Sequence, residues 1–555
     1  MALILCGCVC SGRLYAAGQP AVGGEIIIAL ANEIKTFNPI TTNDAYSSQV
    51  SGYIFEGLVR SNGVTTDIEP NLANSWEISE DKLTWTFHLR DDVRWSDGVQ
   101  FTADDVLFTF NRLVADEKIL TSWRDVLSVG GKMIRIEKVD DYTIKVITPT
   151  PFAPLLRQIG GEILPKHIIE PQLEKIDFNT YWSLDADVSQ VIGTGPFILT
   201  EYAPSQKIIL KRNPNYWRKD SQGISLPYIE KLTLLIIPDT DTRLLKFQSG
   251  EIDIYSMRGE DYPRLKKQEK QSGYTIYNCG PNFGESFILF NQNTTARKID
   301  TAKLDWFTDV RFRRAIAHAI DKDSIIDNIY NTLGYPQFSP MSMSAKLFYN
   351  PDTPRYEYDL RKAAALLAEM GFKKDKEGWL VDPKGQRLEF QLLVSSSSSV
   401  GIKVANYLLD DLKQIGVKMD LTPLTFSVMV EKLDVSYDFE AMFMGLTGGV
   451  EPNGGKNVWM SSGRLHMWHP RQEQPATEWE KELDDIFDQG VQEFDHAKRK
   501  QLYNRWQEIA AEQQPLIHTV TSAVIFAIKN KFGNLKPSAY GGSLHNIEEI
   551  YLQKQ

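Results

Sequence analysis

The chain has 555 residues, 42% of them apolar, with a formal charge of −11. That length suits several units of roughly 150 residues or two large lobes. The acidic balance argues against a general nucleic-acid binder, which needs clustered Lys and Arg, but leaves room for a small charged ligand.

At the N-terminus, Cys6, Cys8 and Cys10 lie in a short apolar run followed by Ala16-Ala17-Gly18. Residues 1–21 are expected to be a signal segment, although no basic stretch precedes the run. Leu5-Cys6-Gly7-Cys8 resembles a lipobox, which would make Cys8 a lipidated N-terminus. Only Cys279 follows, so no disulfide framework is expected. No later stretch reaches the roughly 18 continuous apolar residues of a membrane-spanning helix.

Residues 25–30 read as a buried strand. An α+β stretch follows over about 51–185. Within it, 84–89 alternates like a half-buried strand, and 134–139 pairs with 142–147 as a hairpin across Asp140-Asp141. Residues 102–115 form a helix opened by a Thr102/Asp105 capping box. Thr194-Gly195-Pro196 is a tight break. Beyond it come a strand over 232–237, a helix from Asp241 stopped by Gly250, and a strand over 252–255.

The pattern changes near 285. Residues 287–290 and 390–394 read as strands, and the stripe Phe312, Ala315, Ile316, Ala319 as a helix face. Asp321 and Asp359 cap further helices. A helix over 402–415 ends at Gly416 before a strand over 417–421, and Ser395 to Ser399 read as a loop. Asp495 opens a long helix that Pro515 ends. This alternation implies a second α/β lobe.

Five aspartates fall between 91 and 105, but their positions suit caps and turns rather than an acidic active site. His466 and His469 have a spacing a metal could use, yet no cysteine or carboxylate lies within two residues, so they read as polar loop residues beside Trp468. HExxH, GxSxG and Walker A sequences do not occur, and no nucleophile–base pair is evident. An exported hydrolase is therefore the remote alternative. No catalytic residue, metal or cofactor is expected.

The residues that carry a family resemblance are EIIIALANEIKTFNP at 25–39, FEGLV at 55–59, LANSWEISED at 72–81 and TFHLRDDVRWSDGVQFTADDV at 86–106. GTGPF at 193–197, NPNYW at 213–217, RFRRAIAHAIDKDSII at 311–326 and KRKQLYNRWQEI at 498–509 follow in the same order. Together they resemble the extracytoplasmic solute-binding proteins of oligopeptide and dipeptide ABC importers, bacterial solute-binding protein family 5. The resemblance implies an α/β fold, a two-lobed periplasmic-binding-protein clamshell (type II-like) with an extra α+β domain inserted in the first lobe. The expected bounds are 22–50, 190–270 and 515–555 for lobe I, 51–189 for the extra domain and 275–512 for lobe II. The implied role is capture of a peptide, or of a non-peptide solute such as an oligosaccharide, opine or metal chelate, in an interlobe cleft. Delivery is to membrane permease subunits; the protein itself would be a monomer, periplasmic or otherwise extracytoplasmic, with no nucleic-acid partner.

Candidate ligand residues come from the resemblance and, for the two tryptophans, from a Gly-rich segment. Asn43 and Asp44 lie in a loop that tends to face the cleft, with an ordinary Asx turn as the alternative. Trp459 and Trp468, in a Gly-rich segment, are placed either to stack on a ligand or to pack in the second lobe. Many peptide-binding members carry a loop aspartate that pairs with the ligand's α-ammonium. The matching stretch here, 444–452, has glycine at that place whether it is counted as Gly448 or Gly449. This cleft is therefore expected not to rely on that anchor. The backbone of Leu446, Thr447, Gly448 and Gly449 is expected to carry the contact, and Glu451 to brace the loop.

Overall fold

A computed structural model describes residues 20–42, 44–293 and 299–553. The architecture is mixed α/β with two large sheets. In the first sheet the strand order is Phe197–Ala203, Lys207–Arg212, Lys231–Ile236, Glu25–Leu30, Ile254–Ser256, Val520–Lys529, Tyr274–Pro281. Glu25–Leu30 runs parallel to both its neighbours and buries Ile26, Ile28 and Leu30 on one face, as a period of two requires. The helix Thr240–Ser249 joins two of these strands. Its N-cap is Asp239, two residues before the expected start, and it ends at Gly250 with φ 83°, a left-handed cap that favours glycine.

The second sheet has the order Lys418–Leu424, Glu389–Ser395, Ala441–Leu446, Glu285–Phe290, Leu516–His518. Phe290 packs here at 5.0 Å from both Phe307 and Phe312 and 5.1 Å from Phe390, ring centre to ring centre. Asp321, Asp359 and Asp495 cap the helices assigned to them. The helix before Gly416 is longer than the sequence reading: it begins at Ser399, because Ser398 caps it through the Gly401 N–H. The expected serine loop is thereby shortened.

The region near 100 forms a four-stranded antiparallel sheet, Ala73–Ile78, Thr84–Leu89, Thr143–Ile147, Arg135–Asp140, with the expected hairpin. The Thr102/Asp105 capping box is present, and Asp105 also accepts from the Lys166 N–H. Asp104 pairs with Lys138 at 3.0 Å, and Asp97 accepts from the Val99 N–H. After one turn the helix widens into a π segment, Phe108–Val114, which periodicity alone does not foretell.

Two chain segments cross directly from one large sheet to the other, between Pro281 and Glu285 and between His518 and Val520. They are zipped together: the Thr519 N–H donates to Ser286 O at 2.8 Å and the Asn282 N–H to Ser522 O at 2.9 Å. The crossings differ from the expected bounds at both places. Tyr274–Pro281 stays in the first sheet and Leu516–His518 in the second, because each is held by backbone pairing that a sequence break does not reveal.

Candidate functional site

The parallel strands Glu25–Leu30 and Ile254–Ser256 end at one edge of the first sheet. Ligands of open α/β sheets bind at the C-terminal ends of such strands. A cavity of about 1000 Å³ lies there, lined by Ala31, Met257 and Arg258 just past those ends. Its other walls come from the helix Ala45–Ile54, the segments 55–61 and 160–162, and the C-terminal segment 540–548.

The charges on these walls are mostly neutralised by one another. Arg60 Nη1 lies 2.6 Å from Glu548 Oε1, and its Nε 3.4 Å from Glu69 Oε2. Arg218, just behind, lies 3.7 Å from the same Glu548 oxygen and stacks 4.6 Å over Trp217. Arg258 pairs with Asp261 at 2.8 Å and with Asp241 at 2.7 Å. Glu56 is buried and accepts from Trp217 Nε1 at 2.9 Å and from the Tyr216 hydroxyl at 3.3 Å. Burial pushes its carboxyl up, against the opposing field of Arg218 and the Trp217 donor.

Glu162 stands apart. The chain at Glu162 bridges Gly57, and the Ile163 N–H donates to Glu56 O at 2.9 Å. Gly57 permits this approach, since a Cβ there would sit 2.1 Å from Gly160 O. Glu162 makes no ion pair among the described residues, and desolvation raises its carboxyl from 4.5 to about 7. An unfolded chain ionises this group near 4.5, so its charge opposes folding increasingly as pH rises from there to about 7. Glu162→Gln should therefore stabilise the fold little at pH 5 and fully at pH 8, by about 1–2 kcal/mol after allowance for solvent at the cavity wall. Thermal melts of both proteins at the two pH values check this.

The second sheet's loop approaches this cavity through Phe283 and Tyr540. Gly448 lies so close to Phe283 that a Cβ would fall 1.8 Å from Phe283 O, and Phe283 packs edge-on against Tyr540 at 5.5 Å. Tyr540 lines the cavity. Leu446 pairs with Glu285, while Thr447, Gly448 and Gly449 are exposed beyond the strand end. The strands Glu389–Ser395 and Lys418–Leu424 end at the same edge of the second sheet, followed by exposed Val400, Phe426 and Val428. Sequence reasoning missed these three, because apolar residues at a helix start read as core.

The other expected site residues fall elsewhere. Asn43 and Cys8 lie outside the described residues. Asp44 caps the helix Ala45–Ile54, accepting from the Tyr46 and Ser47 N–H groups, so the Asx alternative describes its contacts. Asp44→Ala should cost about 1 kcal/mol of stability and Asp44→Ser little, as read by denaturant titration. Glu451 is engaged by Arg499 at 2.5 Å and 3.0 Å, which braces the loop.

Trp459 and Trp468 require a correction: they are 2% and 1% exposed, inside the second-lobe core, so neither ring offers a face for stacking. Trp459 packs at 5.4 Å from Trp468 and 5.6 Å from Trp506, and this aromatic cluster is what the Gly-rich segment folds around. His466 does lie in the loop beside Trp468, but it is buried. It is 1% exposed, 4.0 Å from the Trp468 ring, with Nε2 3.5 Å from Glu480. Burial pushes Glu480 up, but His466 and donors from Trp468 and Thr477 outweigh it and hold the carboxyl at about 2. Among the described residues no group of three His, Cys, Asp or Glu is placed to hold a metal, and no helix is long and apolar enough to cross a membrane.

Glu162, Arg60 and Glu548 were also missed. A Gly-Gly-Glu run before Ile163-Leu164-Pro165 was the one local signal, and Arg60 and Glu548 are 488 residues apart in sequence.

A cavity at the strand ends of one sheet, and a second sheet joined to the first by paired crossing strands, make up a two-lobed α/β protein. The family model for bacterial extracellular solute-binding proteins, family 5, matches residues 67–464. The chain belongs to that family, one of binding proteins rather than enzymes. A probable ABC transporter-binding protein of Deinococcus radiodurans is 29% identical over 535 residues, 92% of this chain and 89% of that one. The oligopeptide-binding protein AppA of Bacillus subtilis is 25% identical, covering 98% of this chain and 94% of its own. The structure of AppA in complex with a nonapeptide matches with TM-score 0.73 at 24% identity, over 97% of this chain and 100% of that one. NikA from Brucella suis, in complex with Fe(III)-EDTA, matches with TM-score 0.79 at 21% identity, over 96% and 100%.

Proposed function

We propose that this protein captures peptides outside the cytoplasm and hands them to the permease of an ABC importer, acting as a monomer. The carrying observation is the cavity of about 1000 Å³ at the strand ends of the first sheet. An extended peptide held there can bond main chain to main chain, as an added strand does, so that side chains need only roomy pockets. Val400, Phe426 and Val428 then close over the ligand as the lobes approach. Closure is favoured by the ligand's higher affinity for the closed state. Residues 51–189 act as an extra domain of the first lobe in this reading. The N-terminal segment 1–21 acts as an export signal, with Cys8 as a lipid anchor.

A second reading has one specific observation behind it. No carboxylate of the 444–452 loop is free to meet a peptide's ammonium, since Glu451 is held by Arg499. A non-peptide solute would not need one, and NikA, of the same fold, is seen with a metal chelate. A randomised pentapeptide library passed over the immobilised protein separates the two. The peptide reading expects sequence-tolerant capture, seen by mass spectrometry of the eluate. An eluate without peptides would favour the second reading.

A further inference from the structure

We infer that Glu162 receives a positively charged nitrogen of the solute, an amine or a guanidinium, and that the cavity therefore selects cationic cargo. The inference rests on the peptide reading and names the chemistry that reading leaves open. It follows from a census of the cavity walls. Arg60 is matched by Glu548 and Glu69, and Arg258 by Asp261 and Asp241. Arg243 spends its guanidinium on the Ile237 and Pro238 carbonyls and the Thr240 hydroxyl. His545 Nε2 is bonded to Lys536 O. Glu56 has a donor on each oxygen.

Among the carboxyls on the wall, Glu162 alone has neither an ion pair nor a side-chain donor among the described residues, and the cavity is large enough for several residues of peptide. Its backbone is fixed by the pairing with Gly57, which sets where the side chain leaves the wall. Desolvation has already been met in the empty protein. An arriving cation gains a charge-assisted hydrogen bond in a poorly solvated place, where such bonds are strongest. The cation is thus met from the first-lobe side. The arginines of the cavity walls are each engaged, Arg60 and Arg258 by carboxylates and Arg243 by carbonyl and hydroxyl oxygens.

The test uses the same pentapeptide library in two forms, with free and with acetylated amino termini, on wild type and on Glu162→Gln. Circular dichroism confirms that the variant is folded. Wild type should enrich Lys and Arg over the input roughly tenfold, the ratio that about 1.4 kcal/mol produces. Glu162→Gln should still capture peptides, with that enrichment gone. Enrichment that persists in the acetylated library identifies a basic side chain as the partner. Capture of the free library only, lost in the variant, identifies the α-ammonium instead, and either result supports the inference. Equal capture without basic enrichment, or enrichment that survives Glu162→Gln, overturns the inference and leaves the peptide reading intact. Capture of no peptide by either protein overturns both.

Discussion

Arg499→Met should destabilise the second lobe by about 3–5 kcal/mol, the cost of leaving one member of a buried ion pair without its partner. Arg499 and Glu451 are 6% and 9% exposed, and the guanidinium meets the carboxylate with two bonds. Its Nε donates to Gly490 O at 2.8 Å, and the group lies 5.2 Å over Phe348 and 5.4 Å over Tyr503. Methionine replaces the stem but none of these bonds, and it strands Glu451 at the foot of the loop carrying 446–449. The loss should be visible as a lowered denaturation midpoint. A double variant, Glu451→Leu with Arg499→Met, should recover much of the loss, since two apolar groups of similar volume leave no charge unpaired. Ligand affinity of the double variant should stay lower than wild type, because the loop has lost its brace.

Trp468→Ala should cost about 3–5 kcal/mol, the usual range for emptying a large aromatic site. The ring is fully enclosed by Trp459, Trp479 and His466, and its Nε1 donates to Glu480 at 3.2 Å. Truncation leaves both a cavity and a carboxylate with one donor fewer. A ligand-stacking tryptophan would behave differently: its loss would reduce affinity and spare the fold. Denaturation of Trp468→Ala beside its peptide capture distinguishes the two. Trp468→Phe should retain most of the stability and show no change in ligand-dependent fluorescence attributable to that position.

The elements were legible in the sequence wherever a local rule acts. Thr102, Asp321, Asp359 and Asp495 cap helices because a short polar side chain reaches its own neighbouring N–H groups. Gly250 and Gly416 end helices because φ near 83° and 88° suits a residue without Cβ. Two-lobe organisation was legible from motif order, which summed many weak local signals. The candidate site was much less so. Its walls come from 28–61, 160–162, 252–258 and 540–548, and nothing local ties Glu162 to Gly57 or Arg60 to Glu548. The Gly-rich segment around Trp459 and Trp468 misled for a related reason. Glycine there serves close packing, as at Gly463, where a Cβ would lie 2.2 Å from Asn457 O, and close packing looks like looseness in composition.

Closure of the two lobes over a bound solute is the claim on which the account turns. Small-angle X-ray scattering of the protein alone and saturated with the peptides it captures measures it directly. The account predicts a smaller radius of gyration in the saturated sample, as the edge carrying Phe426 and 446–449 swings onto the cavity about the paired strands at 281–285 and 518–520. An unchanged radius, with bound peptide demonstrated in the same sample by mass spectrometry, would contradict it.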